Sequence, residues 1–407
     1  MRRRLALVLG ALSAFPAFTI DLYLPGMPAM ARDLHADAGM VQLSVTVFVV
    51  GLALGQAVIG PLSDAHGRRP LLLLGLAAYV AGSLACLLAP TAGLLIAARV
   101  VQALGAAAAT VLARVVARDH FEGRELTRFV STLMLVNGVA TVLGPVVGAQ
   151  LLSVAPWRAV FLLLVVVGAV LLGEVRRSLP ESLPVSRRRP ADLRATAEAF
   201  GVLLRDRDYL RHTLAAALMF SAMFAYITGS SFVLQDTYGL SPQQYGAVFA
   251  TNCLGIVLLG QVNAVLVGRL ADERTLLGAS LAVGAAAGLG VLAAIVLEAP
   301  LGALLACLFV LVSVLGPVLA NATSLALSPH PGAAGTAASL QGVLQYAVSG
   351  AVASLMALAT HDARSGAVAM GAAVAASAVA ALLVLRVPAP WRTPLPSHAV
   401  SGSVGPG

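Results

Sequence analysis

The sequence predicts an all-α membrane protein: about twelve transmembrane helices in two pseudo-symmetric six-helix bundles. Three observations carry that prediction. Of the 407 residues, 59% are hydrophobic and only 11% charged, against roughly 45–50% and about 25% in soluble domains. Such a chain has too little polar surface to stay dissolved in water, but lipid solvates it well. Its apolar residues come in long runs, and a bilayer core of about 30 Å needs roughly 20 helical residues to cross. Its arginines collect in alternate connections between those runs.

Taken in order, the spans fall at about 5–30, 41–62, 70–90, 93–113, 127–152 and 159–173, then at about 213–235, 242–267, 275–297, 300–327, 334–359 and 365–387. The start, Arg2-Arg3-Arg4 and an apolar run, imitates a signal peptide. The run continues through Ile20 to about Met30, which makes it an uncleaved first helix. The Arg-, Pro- and Glu-rich gap from about 174 to 212 holds no 20-residue apolar run and divides six spans from six. The expected organisation is a first bundle over 1–175, a cytoplasmic linker over 176–212 with an amphipathic surface helix between Asp192 and Asp208, a second bundle over 213–387, and a disordered cytoplasmic tail over 388–407.

The arginines set the orientation. With the N-terminus inside, 22 of the 26 fall on inner segments, three (Arg32, Arg158, Arg364) on outer ones, and Arg99 within a span. This obeys the positive-inside rule and puts both termini in the cytoplasm. The net charge of +8 is therefore read as membrane orientation, with no nucleic-acid partner. The chain contains no lysine, which removes any Walker A phosphate loop and hence an ATP-driven pump. Cys86, Cys253 and Cys307 lie in apolar stretches without metal-ligand spacing and act as small fillers. No metal, cofactor or catalytic group is expected.

The segment Gly60-Pro61-Leu62-Ser63-Asp64-Ala65-His66-Gly67-Arg68-Arg69-Pro70 joins the second and third spans on the inner side. Its glycines permit a tight inter-helix turn, and Asp64 can pair with the arginines or cap a helix. Gly60, Asp64, Gly67, Arg68 and Arg69 thus form a candidate conformational latch between bundles; the plainer role is a charged turn marking the cytoplasmic side. Gly268-Arg-Leu-Ala-Asp272 occupies the same place in the second half, in register with the six-plus-six division, as internal repeats of transporters are.

The Gly60–Pro70 segment resembles motif A of the major facilitator superfamily, with His66 where an aromatic or aliphatic residue is usual. Arg99-Val-Val-Gln102-Ala-Leu-Gly105 resembles motif B, with Ala103 where a glycine often stands. Gly138-Val-Ala-Thr-Val-Leu-Gly144-Pro145-Val-Val-Gly148 resembles motif C, the fifth-span signature of antiporters. Ile20-Asp21-Leu22-Tyr23-Leu24-Pro25, Ser231-Phe-Val-Leu-Gln235 and Tyr238-Gly239-Leu240-Ser241 resemble the bicyclomycin and chloramphenicol resistance (Bcr/CflA-type) branch of drug:proton antiporters. The resemblance covers nearly the whole chain except the tail. It implies the major facilitator fold in a bacterial cytoplasmic (inner) membrane, with antibiotic efflux exchanged for protons.

Asp21 stands out independently of that resemblance. Of 18 acidic residues it alone lies well within a span, where a carboxylate must face a cavity, pair with a cation or be protonated. Such a group suits a proton carrier; its plain alternative is a cap or water ligand nearer the interface. Arg99 is the expected partner. Nine residues separate Asp21 from Met30 and eight separate Arg99 from Thr91, which puts both roughly 12–13 Å from the outer ends of their helices. Arg99 either couples protons or braces helices.

The Gly138, Gly144, Pro145 and Gly148 segment allows close helix packing and a bend, or in addition a seal against leakage. Asp21, Tyr23, Gln102, Asn137, Phe220, Phe224, Tyr226, Asn252, Gln341, Gln345 and Tyr346 are candidate cavity residues, each individually also explicable by packing. Together they suggest a cavity of few charges suited to neutral, weakly polar or aromatic substrates. The expected function is proton-coupled multidrug efflux by alternating access in a monomer, with small molecules, protons and lipid as partners. Export of a sugar or other metabolite is the alternative within transport. A polytopic membrane enzyme is remoter, since no His-Glu-x-x-His motif, nucleophile elbow or cluster of intramembrane acids occurs.

Overall fold

The apolar runs fold as helices throughout the residues described by a computed structural model: 2–121, 123–188, 193–330, 334–360 and 362–386. Among these residues, twelve helical segments are long and apolar enough to cross a membrane. The expected tail over 388–407 lies outside the described residues.

The first span is broken. Helix α1 (Arg2–Asp21) stops at the aspartate, a tight 3-10 turn follows at Leu24–Gly26, and α2 (Met27–Asp33) completes the crossing. Proline dictates this. Pro25 has no N–H to offer the carbonyl of Asp21, and Pro28 has none for that of Leu24, so the i→i+4 ladder fails twice in succession. A continuous first helix was expected; the break puts Asp21 at a helix end.

Helices α3 (Ala38–His66), α4 (Arg68–Leu88), α5 (Ala92–His120), α6 (Gly123–Val154) and α7 (Arg158–Ser178) complete the first half. The sequence ends the second span near 62 and the fourth near 113, but α3 and α5 run on to His66 and His120. Loss of hydropathy is not loss of helix: Arg and Ala in Ala113–His120 are good helix formers, so the helix continues beyond the hydrocarbon. α3 ends at Gly67, whose φ of +95° suits glycine. Gly60 lies within α3 with open space where a Cβ would stand, so only Gly67 makes the turn.

After α8 (Leu193–Leu203), which packs through Leu203 and Phe200 onto Tyr209, Ala326 and Leu340, the second half begins at α9 (Arg207–Phe232). A π-helical turn (Val233–Thr237) extends α9 beyond both expected ends. Helices α10 (Pro242–Leu266), α11 (Glu273–Val296), α12 (Leu301–Ser313), α13 (Leu315–Leu327), α14 (Ala334–Leu358) and α15 (Ala363–Arg386) follow. The chain reverses between α11 and α12 through Glu298, at φ +51°, and Pro300. The tenth span breaks at Val314, where Pro317 cannot donate to the Ser313 carbonyl.

Small residues set how close the helices come. Gly51 and Gly55 of α3 face Ala103 and Ala107 of α5, each without room for a methyl group, as in small-xxx-small packing. Ala103, the departure from motif B, is fully buried against Gly51. The two halves meet along α3 with α14 and α6 with α10. Leu74, Leu88, Val170 and Leu355 remain exposed on a perimeter that lipid would cover.

Candidate functional site

Between the halves lies a cavity of about 420 Å³. Helix α1 lines it with Ser13, Pro16, Ala17, Ile20 and Asp21, α6 with Leu133, Asn137 and Thr141, and α9 with Phe220, Met223, Phe224 and Ile227. These repeats of three and four keep one helix face toward the space. Val49, Leu52 and Gln56 of α3, Thr110 and Arg114 of α5, and Tyr346 of α14 complete the wall.

Asp21 is 4% exposed at one end of the wall, which it shares with Thr141 of α6. Gly144 and Gly148 bring α6 onto the break in the first span. A Cβ on Gly144 would come within 2.9 Å of the Asp21 Cβ, and one on Gly148 would overlap the Leu22 carbonyl oxygen. Gly138 of the same motif faces open space. On the other side of α6, Pro145 and Ala149 meet α10, where a Cβ on Gly246 would lie 3.0 Å from the Pro145 oxygen. The segment therefore joins Asp21's helix break to the second half.

That end of the bundle is closed. Ser231 Oγ donates to the Leu24 carbonyl at 2.6 Å, the acceptor that Pro28 leaves without its helical partner. Gln235 Nε2 donates to the Pro25 carbonyl at 3.0 Å and Gln243 Nε2 to the Ala149 carbonyl at 3.1 Å. Arg32 pairs with Asp236 across the halves at 3.5 Å. The opposite end is open: Asn137 and Arg114 of the wall are exposed, whereas Asp21 is buried.

Asp21 and Arg99 are not paired. Arg99 is fully buried between the rings of Tyr23 and Phe48, 4.6 and 4.1 Å from its guanidinium carbon. It donates to Gln102 Oε1 at 2.6 Å and to the Ser44 carbonyl at 3.3 Å, and Gln102 donates onward to Ser83 at 2.7 Å. Tyr23 also bonds Ser44, at 3.2 Å. Among the described residues no carboxylate bonds to Arg99 and no cation pairs with Asp21. Equal depth did not imply contact because Asp21 and Tyr23, two residues apart at the break, point to different sides.

Of the expected cavity residues, Asp21, Asn137, Phe220, Phe224 and Tyr346 line the wall. Tyr23 and Gln102 belong to the Arg99 cluster. Tyr226 stacks on Phe249, with ring centroids 5.7 Å apart, and accepts from Asn252 Nδ2 at 2.9 Å within the second half. Gln341 donates to Thr323 at 2.8 Å, and Gln345 is half-buried outside the wall. The sequence reading missed Arg114, Thr141 and Gln56. Arg114 was assigned to an inner loop because the apolar run ends at 113. Its place four residues after Thr110, with no helix breaker between, was the available signal.

Among the described residues, Arg68 and Arg69 of the latch are engaged by the first half and by the segment after α7. Arg68 pairs with Asp64 at 2.5 Å and Asp119 at 3.4 Å, and its side chain also donates to Ser63. The Glu181 carboxylate accepts the backbone N–H groups of Arg68 and Arg69 at 2.9 and 3.2 Å, capping α4. Arg69 also donates to the Arg176 carbonyl at 2.9 Å. The repeat partner differs: Asp64 lies inside a helix, whereas Asp272 follows Gly268 (φ +74°) and caps α11 by accepting from the Thr275 N–H at 3.0 Å. The Thr275 hydrogen bonds hold the Asp272 carboxyl below the usual carboxylate range.

These features define a multi-pass helical membrane protein with two bundles about a central cavity. The Major Facilitator Superfamily model matches residues 7–354, and the chain belongs to that family. It is 35% identical over 361 residues to a Bacillus subtilis (strain 168) protein described as the uncharacterized MFS-type transporter YdgK, covering 87% of this chain and 89% of that one. It is 31% identical over 359 residues to a bicyclomycin resistance protein homolog of Haemophilus influenzae, covering 88% and 89%. The fold superposes on the xylose transporter XylE of E. coli, in a partially occluded inward-open conformation, with a TM-score of 0.72 at 12% identity over 95% and 98% of the two chains.

Proposed function

We propose that this protein is a proton-coupled exporter of small molecules, antibiotics among them, working by alternating access as a monomer in a bacterial inner membrane. The observation that carries the reading is Asp21: a carboxyl in the wall between the halves, without a cation partner among the described residues, at a helix break gripped by Gly144 and Gly148. A proton and the donor groups of a substrate compete for the same oxygens, so replacing one by the other couples their movements. The pattern of names among relatives, including a bicyclomycin resistance homolog, supports drugs as cargo.

The arginine asymmetry supports a cytoplasmic position for both termini and the open end. On that reading the conformation is inward-facing, and the contacts of Ser231, Gln235, Gln243 and Arg32 are the outer gate. Opening outward would break them while the bundles rock about α3–α14 and α6–α10. Each proton entering gains about 2.3 kcal/mol per 100 mV of membrane potential.

The test is proton release from the purified chain in detergent as candidate compounds are titrated in, with wild type beside Asp21→Asn. Release from wild type alone is expected. Wild-type-level proton-linked efflux by Asp21→Asn would refute the assignment.

A further inference from the structure

We propose that Arg114 anchors an acidic group of the transported molecule, so that the cavity favours amphiphilic compounds carrying an aromatic body and a carboxylate over lipophilic cations. The inference deepens the proposed function and rests on the cavity being the substrate site.

Arg114 projects from α5 into the wall one turn beyond Thr110. Five other arginines have carboxylate partners among the described residues: Arg32 with Asp236, Arg68 with Asp64 and Asp119, Arg158 with Asp33, Arg211 with Asp208, and Arg364 with Glu298. Arg99, which has none, is enclosed by two rings and bonded to Gln102. Among the described residues none pairs with Arg114. A guanidinium presents a planar fork of donors suited to a carboxylate, and the bonds it makes are charge-assisted. Here it stands at the margin of a largely apolar space, which strengthens a pairing over its value in water.

The rest of the wall fixes the shape of the ligand. Phe220 and Tyr346 meet edge to face, with centroids 5.8 Å apart at 79°, which provides an aromatic surface in the same cavity. On α1 the lining runs from Ser13 to Asp21, eight residues or about 12 Å at ~1.5 Å each. Asp21 occupies the blind, buried end, and Arg114 is exposed toward the open end. An elongated acid oriented with its carboxylate on Arg114 keeps that charge away from Asp21. A lipophilic cation must pass the guanidinium to reach Asp21.

The test is equilibrium binding of 2-naphthylacetate and its uncharged isostere 2-naphthylacetamide to the full chain in detergent, without a proton gradient. Wild type should bind the acid more tightly than the amide by roughly ten- to a hundredfold, the worth of hydrogen bonds to a charged group. The ratio should collapse toward one in Arg114→Gln and persist in part in Arg114→Lys, each checked for monodispersity by gel filtration. Equal affinities in wild type, an unchanged ratio in Arg114→Gln, or binding of neither compound at millimolar concentration would overturn the proposal. The wild-type ratio needs no variant, so it stays decisive if Arg114→Gln fails to fold. It is also read without proton movement: an intact ratio with no proton release would sink the coupling at Asp21 and leave the anchor standing.

Discussion

Gly148 of α6 packs against the carbonyl of Leu22 so closely that a single methyl group on it would overlap the oxygen. Neither partner can give way cheaply, since the contact is backbone to backbone at the break in the first span. Gly148→Ala should therefore part α6 from Asp21's helix and cost about 1–3 kcal/mol, the usual penalty of overpacking. Gly138→Ala, which meets open space, should change stability by no more than about 0.5 kcal/mol. Thermal unfolding in detergent separates the two, and export should be lost only in the first.

Because Arg99 and Asp21 touch different neighbours, they should act independently on stability. In a double-mutant cycle with Asp21→Asn and Arg99→Gln, the coupling energy should fall within about 0.5 kcal/mol of zero. A coupling above about 1 kcal/mol would show that the two pair in the folded protein. Arg99→Gln alone should be costly, since it removes two cation–π contacts and leaves Gln102 without its 2.6 Å donor.

Glu181 ties the segment after α7 to the start of α4 by accepting two backbone N–H groups. Glu181→Ala should free those amides at a cost of about 1 kcal/mol, as loss of a helix cap does. Hydrogen exchange at Arg68 and Arg69 should quicken while the α4 interior stays protected. Gly67→Ala should be at least as damaging, because its backbone lies at φ +95° and its Cβ would meet the Glu181 carboxylate at 2.6 Å.

At the closed end, Ser231 and Gln235 hold the Leu24 and Pro25 carbonyls across the halves. Replacing both by Ala should weaken that gate and raise the share of molecules open at this end. A cysteine introduced at Leu24, which is fully buried, should then be alkylated faster by a water-soluble reagent than the same cysteine in the wild-type background. An unchanged rate would mean that the gate is held by packing alone.

The twelve spans and the isolation of Asp21 were determined by the sequence alone, because bilayer crossing depends on the length and polarity of a run read along one dimension. The arginine asymmetry was equally readable as an expectation about sidedness. What faces what was decided by the tertiary structure. Tyr23 and Asp21 part company because residues two apart on a helical turn face different sides, and the packing of the bundle decides which side meets Arg99 and which the cavity. Tyr226 and Asn252 satisfy each other inside the second half instead of lining the cavity. Arg114 joined the wall because α5 continues past its apolar run, so hydropathy marked where lipid contact ends and not where the helix ends. Hydropathy fixes depth along the bilayer normal, but the rotation of each helix about its axis is set by glycine-sized gaps and proline breaks on neighbouring helices. That rotation places the charges.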